Sequence, residues 1–150
     1  MQTVKRSKLN TAIICLIFLE LLVALCEIAL ALYYVMSGRG FIVSPTQPME
    51  RPLIILMVAA YLVILGLLLF CLLVFIKPKV ADKRKLASIV LVVIEGILVF
   101  WLLYTIAGNL ISNPGDAYFL VSLLWNIPRM IISTSLLICA AIAVRKKPSF

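Results

Sequence analysis

Histidine is absent from this sequence, and charged residues of all kinds are scarce, at 13% of the chain. Without histidine there is no imidazole for acid–base catalysis or for binding a metal ion. The sequence also has no glycine-rich phosphate loop, no nucleophile elbow and no CxxC pair among its four cysteines. These absences predict a protein with no catalytic residues, no metal site and no cofactor.

Apolar residues, by contrast, make up 65% of the 150 residues, and the mean hydropathy is +1.20. A soluble domain is close to half apolar and about a quarter charged. A chain of this length cannot hide the excess in a core, so lipid must surround most of it. The net charge of +8 does not indicate nucleic acid, because the basic residues flank apolar runs. We predict one integral membrane domain over residues 1–150, in contact with the lipid bilayer.

Four apolar runs are each long enough to cross a bilayer, at residues 9–36, 53–76, 86–107 and 118–144. They predict an all-α fold, a bundle of four transmembrane helices with antiparallel neighbours. Eleven Lys and Arg residues lie at the two termini and in the middle connection, against two in the other connections. The positive-inside rule therefore predicts a multi-pass protein with both termini in the cytoplasm.

The two halves of the chain resemble each other weakly. Lys83–Leu86 echoes the basic start of the first run, and Glu20 aligns with Glu95 at a fixed offset. Phe70–Pro78 similarly echoes Ile138–Pro148. Two hairpins that enter from the same side would be a parallel duplication. Convergent apolar composition produces similar matches, so tandem duplication of a helical hairpin is one of two interpretations.

Four ionisable residues lie well inside the apolar runs, where a charge costs about 2.5–3.5 kcal/mol even on the most lenient insertion scale. They are Glu20, Glu27, Glu95 and Arg129. With a helical rise of about 1.5 Å per residue, Glu20 lies about 16 Å and Glu27 about 27 Å from the start of the first run. Glu95 lies about 14 Å along the third run, and Arg129 about 22 Å from the end of the fourth. Matching depths predict an ion pair between Glu27 and Arg129, and they place Glu20 level with Glu95.

The pair Glu20 and Glu95 allows two interpretations. Two carboxyl groups at one depth should not both ionise, so one would hold or share a proton. Such a pair suits a proton relay or a cation site within the membrane. It suits equally a neutral carboxylic acid that makes a hydrogen bond between helices. The Glu27–Arg129 pair, in turn, would hold two helices in register.

Small and polar residues recur on one side of the first, third and fourth runs. Glu20 and Glu27, for example, are seven residues apart and share one side of a helix. The second run has no such stripe, and we predict that it packs at the periphery. In the fourth run Pro128 frees a backbone carbonyl and predicts a kink. Asn126, Arg129 or the cluster Ser133–Ser135 is a candidate to satisfy that loosened backbone.

Four spans, short loops and charged residues within the spans resemble the broad tetraspan architecture. The size and the short external loops resemble MARVEL-type proteins more than claudins, whose long first external loop carries a tryptophan–cysteine signature absent here. The resemblance covers the whole chain as architecture and carries over no functional residue.

The expected function is that of a non-enzymatic membrane organiser or a subunit of a membrane complex. Its partner would be another membrane protein or a second copy of the chain. The alternative is a small proton- or cation-linked transporter with Glu20 and Glu95 at its site. Only one span contains a proline kink, whereas transporters commonly have a matched pair of broken helices. An enzyme would have to act on lipid within the bilayer, using Glu20, Glu95 or Arg129.

Overall fold

In a computed structural model of the chain, four long helices follow one another. The structure describes residues 8–36, 41–44, 47–49, 51–77, 81–112 and 117–145. The helices are α1 (Lys8–Met36), α2 (Arg51–Ile76), α3 (Ala81–Ser112) and α4 (Ala117–Arg145). Each contains a stretch that is long and apolar enough to cross a membrane. The prediction of an all-helical, multi-pass membrane protein with four spans is confirmed at this level.

The third helix is longer than its apolar run at both ends. It begins at Ala81 and includes the basic residues Lys83, Arg84 and Lys85, which favour a helix although they are not apolar. Hydropathy marks only the part of a helix that suits lipid, so it underestimates a helix with polar ends. The terminal basic residues behind the orientation prediction, before Lys8 and after Arg145, lie outside the described residues.

A short hairpin connects α1 to α2. The strand β1 (Phe41–Ser44) pairs antiparallel with β2 (Gln47–Met49), and Ile42 lies opposite Pro48. The register is irregular between Ile42 and Ser44. A proline lacks a backbone N–H donor, and a two-stranded ribbon tolerates this because each strand has one unpaired edge.

The four helices form a ring in which each helix packs against the next and α4 closes onto α1. The helices α1 and α4 run antiparallel. Glu20 contacts Ser133, whereas Glu27, further along α1, contacts Arg129, which lies earlier in α4. The helices α1 and α3 occupy opposite corners of the bundle.

Apolar side chains fill the half of the bundle near the start of α1. Ile13 and Ile17 of α1 meet Leu91 of α3 and Leu136 of α4 there, and all four are fully buried. This apolar half lies at the end of the bundle that carries basic residues. Lys8 begins α1 there, Arg145 ends α4, and Lys77 follows α2. The central side chains of this half are inaccessible to solvent.

The prediction that the second run packs at the periphery is wrong. Five residues of α2 are buried: Leu68, Cys71, Leu72, Val74 and Phe75. The thiol of Cys71 also donates to the carbonyl oxygen of Ala87 in α3, at 3.6 Å. A stripe of small and polar residues is one way for helices to pack in lipid, but close fit of large apolar side chains is another.

The outer faces of the bundle carry large apolar side chains. Phe18, Leu22, Phe100 and Trp101, for example, are each more than half exposed. An exposed apolar surface of this extent is costly in water, but lipid removes that cost. The distribution is that of a membrane protein, with apolar side chains outside and polar ones within.

Candidate functional site

Six polar side chains meet inside the bundle, next to its apolar half. We call them the polar cluster: Glu20 and Glu27 of α1, Tyr61 of α2, Glu95 of α3, and Arg129 and Ser133 of α4. All four helices contribute to this cluster, and every member falls within a candidate membrane span. The stripes that the sequence indicated on α1, α3 and α4 therefore face one another across the bundle.

Arg129 links three helices at the end of the cluster nearer the α1–α2 hairpin. Its Nη1 atom donates to Oε1 of Glu27 in an ion pair, and it also lies 3.3 Å from the hydroxyl oxygen of Tyr61. The guanidinium carbon is 5.6 Å from the centre of the Tyr61 ring, within the range of a cation–π contact. The pairing of Glu27 with Arg129 is the one that their matching depths indicate.

Glu20 lies deeper in the bundle, with only 3% of its surface exposed. The hydroxyl of Ser133 donates a hydrogen bond to Oε1 of Glu20. The other oxygen, Oε2, is buried and has no hydrogen-bond partner among the described residues. A second polar contact thus links α1 to α4, at a different depth from the ion pair.

Pro128 lies in the interior of α4, and the helix continues on both sides of it. Ser133 and Arg129 were candidates to satisfy the backbone that this proline loosens. In the structure their side chains instead bind the carboxyl groups of Glu20 and Glu27. The kink at Pro128 stays a prediction.

Glu95 is the most unusual member of the polar cluster. It is fully buried, and it lies within interaction range of the Glu20 carboxyl and the Ser133 hydroxyl. Neither of its oxygens makes a hydrogen bond of ordinary geometry with any described residue. Buried polar atoms almost always have a partner, and an ionised carboxylate without one is very costly. Glu95 is therefore poorly suited to carry a negative charge.

The charges of the polar cluster do not balance when all its groups are ionised. Its three carboxyl groups share the single guanidinium of Arg129, which is engaged by Glu27. Glu20 and Glu95 then face each other without a cation of their own. Two neighbouring carboxyl groups in an apolar setting avoid ionising together. The arrangement can hold a proton.

Tyr61 is the member of the cluster that the sequence analysis missed. A signal existed, because Tyr61 lies about 22 Å from the end of the second run, the same depth as Arg129. The depth prediction rested on charged residues, and the second run has none. Depth matching that includes tyrosine would have placed its hydroxyl beside the arginine.

No protein-family model, curated protein or solved structure matches this chain. The tetraspan resemblance therefore stays one of architecture. Inference about function rests on the residues of the polar cluster.

Proposed function

We propose that this chain is a small, non-enzymatic membrane protein that acts as a membrane organiser or as a subunit of a membrane complex. The polar cluster would hold the four helices in one arrangement. The apolar outer faces would contact lipid and a neighbouring membrane protein or a second copy of the chain. One observation carries this proposal: Arg129 pairs with Glu27 and contacts Tyr61, and it thereby links three helices of the same bundle.

The polar contacts have a physical role in such a bundle. Lipid is as apolar as leucine, so apolar side chains alone give transmembrane helices little reason to associate. Two contacts between α1 and α4, Glu20 with Ser133 and Glu27 with Arg129, lie at different depths. Together they oppose both sliding and rotation of one helix against the other. A fixed bundle can then present a constant outer surface to a partner.

The orientation and the duplication belong to the same proposal. The basic residues favour cytoplasmic termini and a cytoplasmic middle connection. A duplicated hairpin is supported by one contact between corresponding positions of the two halves. Glu20 faces Glu95, with which it aligns at the fixed offset. Corresponding residues would meet in this way around a two-fold axis along the membrane normal.

A second candidate function is a small proton- or cation-linked transporter with Glu20 and Glu95 at its site. The observation that favours it is the fully buried Glu95, whose two oxygens have no hydrogen-bond partner among the described residues. Ionisable residues within a membrane commonly mark a path for protons or ions. The buried contacts of Arg129, Glu27 and Glu20 favour the structural role.

A flux experiment distinguishes the two candidate functions. The purified protein is reconstituted into liposomes, and proton and monovalent-cation fluxes are measured under imposed pH and ion gradients. The structural role predicts fluxes equal to those of protein-free liposomes. A flux that the wild type supports and that the Glu20→Gln and Glu95→Gln variants lose would overturn the structural role in favour of transport. Circular dichroism of each variant in liposomes verifies that it is folded.

A further inference from the structure

We propose that Glu95 is an exchangeable proton site, shared with Glu20 and reached from the end of the bundle opposite the basic flanks. The proposal goes beyond the structural role above and does not depend on it. A bundle that transports nothing can still bind a proton.

The site is built from three buried oxygens that lack partners. Both oxygens of Glu95 and Oε2 of Glu20 are buried without a hydrogen bond to any described residue. Glu95 is fully buried and faces Glu20 from the opposite corner of the bundle. A proton placed between the two carboxyl groups supplies the missing donor, and it removes one of two uncompensated charges.

The surroundings place the proton on Glu95 rather than on Glu20. The hydroxyl of Ser133 donates a hydrogen bond to Oε1 of Glu20, and such a donor favours the ionised form of a carboxyl group. Glu95 receives no hydrogen bond from the described residues. The groups that face Glu95 are Glu20 from α1, Cys71 from α2, and Arg129 and Ser133 from α4. Glu27, the remaining acid nearby, is neutralised by Arg129.

A proton fits this site better than a metal ion. A hard cation such as Ca²⁺ takes about six to eight oxygen ligands. Glu20, Glu95 and Ser133 offer fewer oxygens, and the Ser133 hydroxyl already donates to Glu20. A shared proton needs only the two carboxyl groups.

The packing of the bundle gives the site one open side. Toward the basic end, fully buried Ile17, Leu91 and Leu136 cover it with apolar side chains. Toward the other end, exposure rises from 0% at Glu95 and 3% at Glu20 to 8% at Arg129, and Glu27 is only partly buried. Protons would therefore arrive past Glu27 and Arg129.

The helices α2 and α4 show the same asymmetry. No described side chain of α2 between residues 55 and 67, or of α4 between 120 and 128, is buried. The helices α1 and α3 do bury Ile28 and Leu102 at this level. In the half of the bundle toward the α1–α2 hairpin, α2 and α4 are thus less buried than α1 and α3.

Modification by a hydrophobic carbodiimide tests the protonation of Glu95. Dicyclohexylcarbodiimide converts a protonated carboxyl group in an apolar setting to a stable acylurea, which mass spectrometry locates by residue. We expect an adduct on Glu95 in the full-length protein in liposomes, and a decrease in that adduct as the pH rises. Glu27 is the internal control, because its ion pair with Arg129 should leave it unmodified. The Glu95→Gln variant should lose the adduct and keep its fold, since an amide resembles a neutral acid.

Infrared spectroscopy provides a measurement on the unmodified wild type. The carbonyl band of a protonated carboxylic acid should appear in the wild type and be missing from Glu95→Gln. The proposal would be overturned if Glu95 formed no adduct and this band were absent at every pH between about 5 and 8, where proteins are usually most stable. The proposal would also be overturned, in favour of a sodium site, if the adduct were lost when sodium chloride replaced choline chloride at constant pH.

Sidedness is tested in sealed vesicles of known protein orientation. The pH is changed on one side only, and carbodiimide labelling of Glu95 is followed. Labelling should respond to the pH on the side of the α1–α2 hairpin. A response only to the side of the basic middle connection would overturn the proposed route of access.

Discussion

The guanidinium of Arg129 lies between the carboxyl group of Glu27 and the phenol of Tyr61, and little of it reaches the surface. The stability of such a pair depends on both members together. A buried ion pair often contributes little compared with a well-packed apolar pair, but removal of one member leaves a buried charge without compensation. The two kinds of substitution should therefore have different effects.

We predict that Arg129→Gln destabilises the bundle by about 3–5 kcal/mol, the usual cost of breaking a buried ion pair. The double variant Glu27→Gln/Arg129→Gln should recover much of that loss, because neither residue then carries a charge. Reversible unfolding in mixed micelles by increasing fractions of sodium dodecyl sulfate measures both. A double variant as unstable as Arg129→Gln would contradict the assignment of the loss to an unpaired Glu27.

Depth along a helix was enough to predict which residues of the polar cluster share a level. It paired Glu27 with Arg129 and set Glu20 beside Glu95, and the structure brings both pairs together. It could not predict that Ser133 binds Glu20, because that contact also depends on how α4 is rotated about its axis. The rotation of a helix depends on the packing of all four helices, so it cannot be predicted from the sequence of one run.

The helix α2 shows how an element without polar residues is anchored. Its buried face carries Leu68, Cys71, Leu72 and Phe75, while Phe70 and Leu73 are directed outward. In lipid, the hydrophobic effect does not separate these two faces, since both are in apolar surroundings. What differs is the density of contact, because a packed side chain gains more dispersion energy than one in fluid lipid.

Two phenylalanines on α2 form a matched test of this difference. Phe75 is 2% exposed and Phe70 is 40% exposed. We predict that Phe75→Ala destabilises the bundle by about 2 kcal/mol or more, because the cavity and the lost contacts remain costly even in lipid. Phe70→Ala should change the stability little in the same unfolding assay. Equal losses would indicate that Phe70 also packs against protein, as it would in an oligomer.

The elements themselves were largely predictable, and the exceptions have physical reasons. Long apolar runs marked all four helices, because lipid demands about 20 consecutive apolar residues for a span. The α1–α2 hairpin was not predicted, because its strands of four and three residues are too short to show a clear strand periodicity. The wrong placement of α2 followed from reading only polar stripes as packing surfaces.

Across the whole molecule, the two ends of the bundle differ. The basic end is packed with apolar side chains such as Ile13 and Leu136, and the polar cluster lies beyond them toward the other end. The sequence predicted the charge difference between the ends, but not the difference in packing. Charge is read from the loops alone, whereas packing depends on how four helices meet.

Orientation in the membrane is a property of the whole molecule. The basic residues predict that the α1–α2 hairpin is outside and the middle connection is in the cytoplasm. With the four native cysteines replaced by alanine, Ser44→Cys in the hairpin should react with a membrane-impermeant maleimide in sealed right-side-out vesicles. Lys85→Cys, an exposed position at the start of α3, should react only after permeabilisation.

The reverse labelling pattern would contradict the proposed orientation and place the basic end outside. The pattern also has a consequence for Glu95. If the hairpin is outside, the open side of the polar cluster faces the external phase, and Glu95 would exchange its proton with that phase rather than with the cytoplasm. If the hairpin is inside, the same packing directs the site to the cytoplasm, because Ile17, Leu91 and Leu136 cover its other side in either orientation.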